Sequence, residues 1–282
     1  MDAVSPSNHP TLVYALAALV AIAVGFVPTD IGVIVSGILI AILGIPHGSL
    51  DLHLMSTRRQ RLRELAIYII CIGLVLGIWL TQPTLMLALF LINSAWHFGD
   101  CDIRTSHRLK PILAFTYGVS VLSVLIDLRD PTIGSILSTL LGFGFDVSTA
   151  PHYNVVRMLT SALVIGIPLV SSGEEGKNSI LQSMLIVAVS MLAPSLIAFT
   201  WYFVVVHSWT SMDRLRYHID AANPWTWQML VKAAAPLSVL TYLGIALAQM
   251  MFSSVDVLAM LFIALSALTV PHSRLFHRVY RS

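Results

Sequence analysis

The stretch ELAIYIICIGLVLGIWLT, residues 64–81, decides the fold. Its only charge is the first residue, and the rest is long enough to cross a bilayer as an α-helix. A membrane β-strand is about half that length and alternates in polarity, so this run belongs to a helix bundle and not to a barrel. Four arginines, Arg58, Arg59, Arg61 and Arg63, stand directly before it.

The rest of the chain has the same character. Of 282 residues, 57% are hydrophobic and 11% are charged, and the mean hydropathy is +0.83. A soluble domain carries roughly 25% charged residues, so this chain cannot cover a water-exposed globule. Further apolar runs lie at about 11–28, 31–46, 83–98, 111–127, 132–146, 154–171, 179–211, 227–250 and 255–271. The first has no basic leader and no clear cleavage site, and reads as a retained helix. The eighth is too long for one straight span and contains Pro194, so it is one kinked helix or two half-length pieces.

Taking the eighth run as one kinked helix, with a cytoplasmic N-terminus, places fourteen of the sixteen Lys and Arg inside and leaves only Arg129 and Lys177 outside. The expected fold is therefore all-α: a polytopic integral membrane helix bundle of about ten transmembrane helices. It forms one transmembrane domain over residues 1–282, with both termini cytoplasmic, in the inner (plasma) membrane. The net charge of +2 and the lack of a basic-aromatic patch exclude nucleic acid as a partner. Cys71 and Cys101 are not paired by their spacing. The sequence does not specify an oligomeric state.

Ionisable groups inside spans are costly and mark function. They concentrate in GIPHGSLDLH at 44–53, NSAWHFGD at 93–100, WYFVVVHSW at 201–209 and TVPH at 269–272. The topology puts His47, His97, His207 and His272 at one depth, each at the cytoplasmic end of an even-numbered span. Four neutral imidazoles form a metal-ligand set that suits Fe(II) and can leave positions open for dioxygen; zinc would also fit four nitrogens. Asp51 lies four residues after His47 and Asp100 three after His97, so both can share a helix face with a histidine and orient imidazoles. His53 is a further ligand or an exposed loop residue. His9, His107, His152 and His218 read as surface, and His277 falls on a different face from His272.

Trp96, Phe98, Trp201, Tyr202, Phe203 and Trp209 surround the histidines, either as an interfacial belt or as the wall of a slot for a long flat hydrophobe. Gly44, Gly48 and Gly99 permit close helix packing. Pro46 and Pro271 each precede a histidine and either break a helix or mark its end. No Walker loop, dinucleotide fingerprint or nucleophile elbow is present. The clustered histidine boxes of membrane desaturases are also absent.

At these residues the chain resembles a known family. Pro46-His47-Gly48-Ser49-Leu50-Asp51 is similar to the PHGxxD motif of the Brp/Blh membrane β-carotene 15,15'-dioxygenases. Trp96 to Asp100, Tyr202 to Ser208 and Pro271-His272 are similar to that family's later motifs. The resemblance runs from about residue 40 to the C-terminus. It implies a nonhaem-iron enzyme that cleaves β-carotene at its central double bond with O2, giving two retinals within membrane lipid. One position departs from the pattern: a second histidine expected one turn after His207 is Ser211. Either His272 completes the ligand set, or three histidines suffice, or activity is altered. Two other functions remain in play, a transporter of metal ions or protons and a non-catalytic carotenoid- or retinal-binding membrane protein.

Overall fold

A computed structural model describes residues 10–55, 57–103, 108–144, 152–171, 176–219 and 223–280. His9 and His107 lie outside these. The described residues are mostly helical, with no strand among them. The helices are α1 (Pro10–Val24), α2 (Thr29–Leu39), α3 (Ile45–Ser49), α4 (Arg58–Thr81), α5 (Pro83–Asp102), α6 (Lys110–Leu125), α7 (Pro131–Leu141), α8 (Tyr153–Ser171), α9 (Gly176–Leu192), α10 (Ser195–Trp201), α11 (Trp209–Ile219), α12 (Trp227–Met251) and α13 (Val257–Tyr280). A π-helical turn, Ile40–Gly44, joins α2 to α3, and a second, Tyr202–Ser208, joins α10 to α11.

The local chemistry explains the ends. The run at 64–81 begins at a capping box: Thr57 Oγ1 accepts from Gln60 N–H at 3.2 Å, and Gln60 returns the bond to Thr57 N–H at 3.1 Å. α5, α6 and α7 open with proline in the first turn, where no helical N–H is lost. Asp130 caps α7 through Thr132 N–H at 2.9 Å. α7 stops at Gly142, whose φ of 75° is the left-handed conformation that glycine adopts without strain.

Side-chain bonds give the direction of each pass. α6 and α9 run parallel, because Tyr117 meets Ser183 (3.3 Å) and, one end further along, Arg157 reaches the carbonyls of both Val124 and Ser190. α10 runs against them: Ser195 N–H donates to Asp130 (2.9 Å) beyond the end of α6, and the Tyr202 hydroxyl donates to Asp102 (2.7 Å) near its start. The chain therefore reverses between α9 and α10. This corrects the single kinked helix expected at 179–211. At Pro194 the backbone leaves the helix (φ −54°, ψ 145°), and the turn packs against Gly25 at the end of α1.

The run expected at 132–146 is corrected too; its last two residues lie outside the described set. α7 is 11 residues, about 16 Å, too short to cross. Both its start and the start of α8 are tied to the same loop, Asp130 through Ser195 and Asp127 through Tyr153 at 2.8 Å. The chain thus leaves and returns at one end. α1 and α13 put the first and last described residues at the other end, where Tyr14 bonds Thr210 (2.6 Å) and His277 meets Asp100 (3.2 Å). Neither proline next to a histidine ends a helix: Pro46 sits in the first turn of α3 directly after a π turn, and α13 continues nine residues past Pro271.

α5 and α6 are the tightest pair. A Cβ on Gly99 would overlap the Ala114 carbonyl, and one on Gly118 would overlap that of Ala95. Five helical stretches are long and apolar enough to cross a membrane by length and composition: Thr29–Leu54, Arg58–Thr81, Tyr153–Val170, Trp227–Met251 and Val257–His277. Their outer faces expose large apolar side chains such as Ile38, Ile70, Leu163 and Leu243. Water would not tolerate so continuous an apolar exterior, and lipid would.

Candidate metal centre

The two π turns lie side by side at the centre of the bundle. Each widens the helix by one residue, a device common at functional sites. Gly44 ends the first turn against the ring of Phe203 in the second, and any Cβ there would overlap that ring. His47 lies three residues beyond the first turn, and His207 lies inside the second. His97 comes from the last third of α5 and His272 from the middle of α13.

The structure brings these four together. One nitrogen from each lies within 4.8 Å of the others, so the group could hold a metal ion. The imidazoles form a closed circuit: centroids of His47 and His272 are 4.8 Å apart, His272 and His97 4.7 Å, His97 and His207 4.9 Å, and His207 and His47 5.3 Å. His97, His207 and His272 are buried and His47 is partly so.

Their hydrogen bonding fits a metal. His47 Nδ1 is held by the Gly44 carbonyl and by Ser208 Oγ at 3.3 Å. His272 Nδ1 is held by Asp51 at 2.8 Å. Nε2 of both rings, and both nitrogens of His207, are buried without a hydrogen-bond partner among the described residues. Each orphaned polar atom costs about 1–3 kcal/mol. A shared cation would remove those costs together, and a ring nitrogen anchored on a carbonyl or carboxylate is the usual support for a ligating histidine. Among the described residues, the hydrogen-bond contacts of His97 are weak ones to Cys101 Sγ, at 3.8 and 4.0 Å.

The carboxylates divide. Asp51 supports His272 rather than its helix neighbour His47, and it also accepts from the Tyr68 hydroxyl. Asp100 turns away from the circuit. It meets His277 at 3.2 Å and Lys110 at 3.8 Å. His277 is thereby drawn into the surroundings of the site. His53 packs on Trp225 (5.8 Å), while His152 and His218 are exposed. Ser211 is buried one turn beyond His207 and is not among the four residues that could hold a metal ion.

The aromatic residues divide as well. Phe98 and Phe203 line a small cavity directly against the histidines. Tyr202 is wholly buried and tied to Asp102. Trp201 is buried in the core, Trp96 packs on Phe115 and His277, and Trp209 is half exposed and stacked on Trp227. The wall beside His47 and His272 is aliphatic instead. It is a cleft of about 460 Å³ built mainly by α4, α12 and α13, with Leu65, Ile72, Leu237 and Ile263 among its lining. Tyr68 is the residue that reading the sequence missed. Its signal was present: it carries the only hydroxyl in the stretch 65–80.

The family model described as β-carotene 15,15'-dioxygenase matches residues 38–280. A curated protein of that name from uncultured marine bacterium 66A03 is 27% identical over 259 residues, covering 86% of this chain and 92% of the relative. No solved structure matches. The matched region contains both π turns and all four histidines, and the chain belongs to the β-carotene 15,15'-dioxygenase family, a family of oxidoreductase-type enzymes.

Proposed function

We propose that the protein is a membrane dioxygenase that uses Fe(II) and O2 to cleave β-carotene at its central double bond, releasing two retinals. The observation that carries this is the circuit of four histidines with orphaned nitrogens beside a large apolar cleft. His47, His97, His207 and His272 would hold the iron. When bound, it supplies activation of O2 toward an electron-rich alkene. Each carbon of the broken C=C bond then takes one oxygen atom of the same O2.

The chain's own residues have three tasks. Asp51, itself bonded by Tyr68, fixes His272 with Nδ1 toward the carboxylate and Nε2 toward the centre. Gly44 and Ser208 do the same for His47. The aliphatic cleft accepts a polyene with no polar handle and excludes water from the centre. The surrounding topology we propose is ten membrane passes, with the histidine end facing the cytoplasm of the inner membrane, because that end carries the arginine-rich segment before α4.

An ion transporter needs polar walls along its path, whereas the cleft is overwhelmingly apolar. A carotenoid carrier without a metal would leave the imidazole nitrogens unsatisfied. The test is purified protein loaded with Fe(II), incubated with β-carotene in detergent under air, with products separated by chromatography. Two retinals per β-carotene consumed, with bound iron near one per chain, is the expected result. A different aldehyde pair overturns central cleavage, and full turnover in chelated, iron-free protein overturns the metal role.

A further inference from the structure

Three cavities meet end to end through the middle of the bundle. The cleft shares His47, Phe203, Leu265, Thr269 and His272 with the small cavity at the four histidines. That cavity in turn shares Phe90, Ser94, Phe98 and Phe199 with a third pocket, of about 60 Å³, on its far side. The two outer spaces differ. The cleft opens at the flank, where the lining residues Ile69 and Leu240 are 62% and 63% exposed. The far pocket is smaller and walled by buried and half-buried side chains, notably the buried Ile136 and Leu140 of α7, with no ionisable residue in its lining.

A hydroxyl marks the junction. Ser94 is 2% exposed and lines both the histidine cavity and the far pocket. Its Oγ has no hydrogen-bond partner among the described residues. Other serines in these helices, such as Ser120 and Ser123, satisfy theirs on the carbonyl one turn back, so Ser94 is an exception.

We propose that these spaces are the two unequal arms of one polyene channel, and that the closed arm under α7 determines which bond lies over the histidines. This rests on the carotenoid-cleaving reading above. One half of the substrate lies in the flank-opening cleft. The other half passes the histidines and displaces the apolar side chains of α7 until the closed end stops it. A polyene offers no polar group to fix its register, so a steric stop must do so. After cleavage the Ser94 hydroxyl donates a hydrogen bond to the aldehyde oxygen of the half in the closed arm.

The experiment compares β-carotene with a shortened polyene aldehyde that keeps one ring, on wild-type protein and on Leu140→Trp, Ile136→Phe and Ser94→Ala. Binding is read in metal-free protein by tryptophan quenching, and turnover in iron-loaded protein by chromatography. Filling the closed arm is expected to shift the binding and turnover preference toward the shortened substrate by about tenfold. Ser94→Ala is expected to weaken retinal binding about fivefold more than it weakens β-carotene binding. If Leu140→Trp does not fold by circular dichroism, Ile136→Phe carries the same comparison. Unchanged selectivity in a folded filled-arm variant, or equal loss for both substrates, overturns the channel. A wild-type protein that neither binds nor cleaves β-carotene overturns the carotenoid reading itself, and the two failures are thereby distinct.

Discussion

At the end of the bundle opposite the histidines, Asp127 and Asp130 both have close partners. Asp127 accepts from Arg129 N–H at 3.0 Å and the Tyr153 hydroxyl at 2.8 Å, and pairs with Arg157 at 2.5 Å. Asp130 accepts from the N–H groups of Thr132 and Ser195, both at 2.9 Å. At the histidine circuit, by contrast, four ring nitrogens on His47, His207 and His272 are buried without a hydrogen-bond partner among the described residues. Both regions place charge-bearing side chains in an apolar bundle. The first closes its hydrogen bonds and ties α6, α7, α8 and α10 together. The second leaves its nitrogens open and arranges them around one point. Satisfied polarity is architecture, and convergent unsatisfied polarity is a binding site.

The strongest way to break this contrast is to remove a histidine. Alanine at His47, His97, His207 or His272 is expected to reduce bound iron to below about a tenth of wild type and abolish retinal formation, since no spare ligand lies in the circuit. Metal analysis of purified protein checks this. Retention of full iron by any one variant would remove that residue from the centre.

The carboxylates offer a sharper test. Asp51→Asn is expected to lower metal affinity or turnover by about 10–100-fold, because it loosens the ring of His272. Asp100→Asn is expected to leave bound iron at the wild-type level, since the carboxylate meets His277 and Lys110. Equal losses from both would contradict the division seen in the structure. Gly99→Ala is expected to cost about 1–3 kcal/mol of stability, read as a lower melting temperature in detergent, because α5 and α6 must separate.

The smallest effect is expected at the opposite end. Burial pushes the Asp127 carboxyl up, but the Arg129 N–H, the Tyr153 hydroxyl and the Arg157 and Arg129 cations outweigh it and hold it below its usual value. A carboxyl lowered in the folded state contributes stability above its unfolded value of about 3.9 and loses it as pH falls through the folded value. Asp127→Asn should therefore lower the melting temperature slightly at neutral pH. The gap from wild type should narrow below about pH 4. Iron content should not change.

Some errors in reading the sequence were invisible to the signal used. The run at 179–211 is two antiparallel helices, and the run at 132–146 contains a short helix that does not cross. The two corrections offset each other in the direction of every later pass. They move Arg157 to the arginine-poor end and bring the chain position of Lys177, in the first turn of α9, to the histidine end. One cation leaves and one arrives, so a rule that only counts charges could not distinguish the two topologies. The backbone break at Pro194 was legible as a proline. Whether it bends or reverses a helix depends on what packs on each side, here Gly25 and the Asp127–Asp130 loop.

Composition and hydropathy by themselves determined the helical class, because apolar runs of this length can satisfy their backbone in lipid only as helices. The four histidines were also legible, because an ionisable group within such a run is too costly to be incidental. The tertiary structure alone decided which carboxylate supports which imidazole. Asp51 and His272 are 221 residues apart in the chain, and no helical spacing rule reaches that far. It also decided that the slot beside the histidines is aliphatic. Being near a histidine in the chain does not place an aromatic ring on the same side of a helix, and the π turns rotate the faces further.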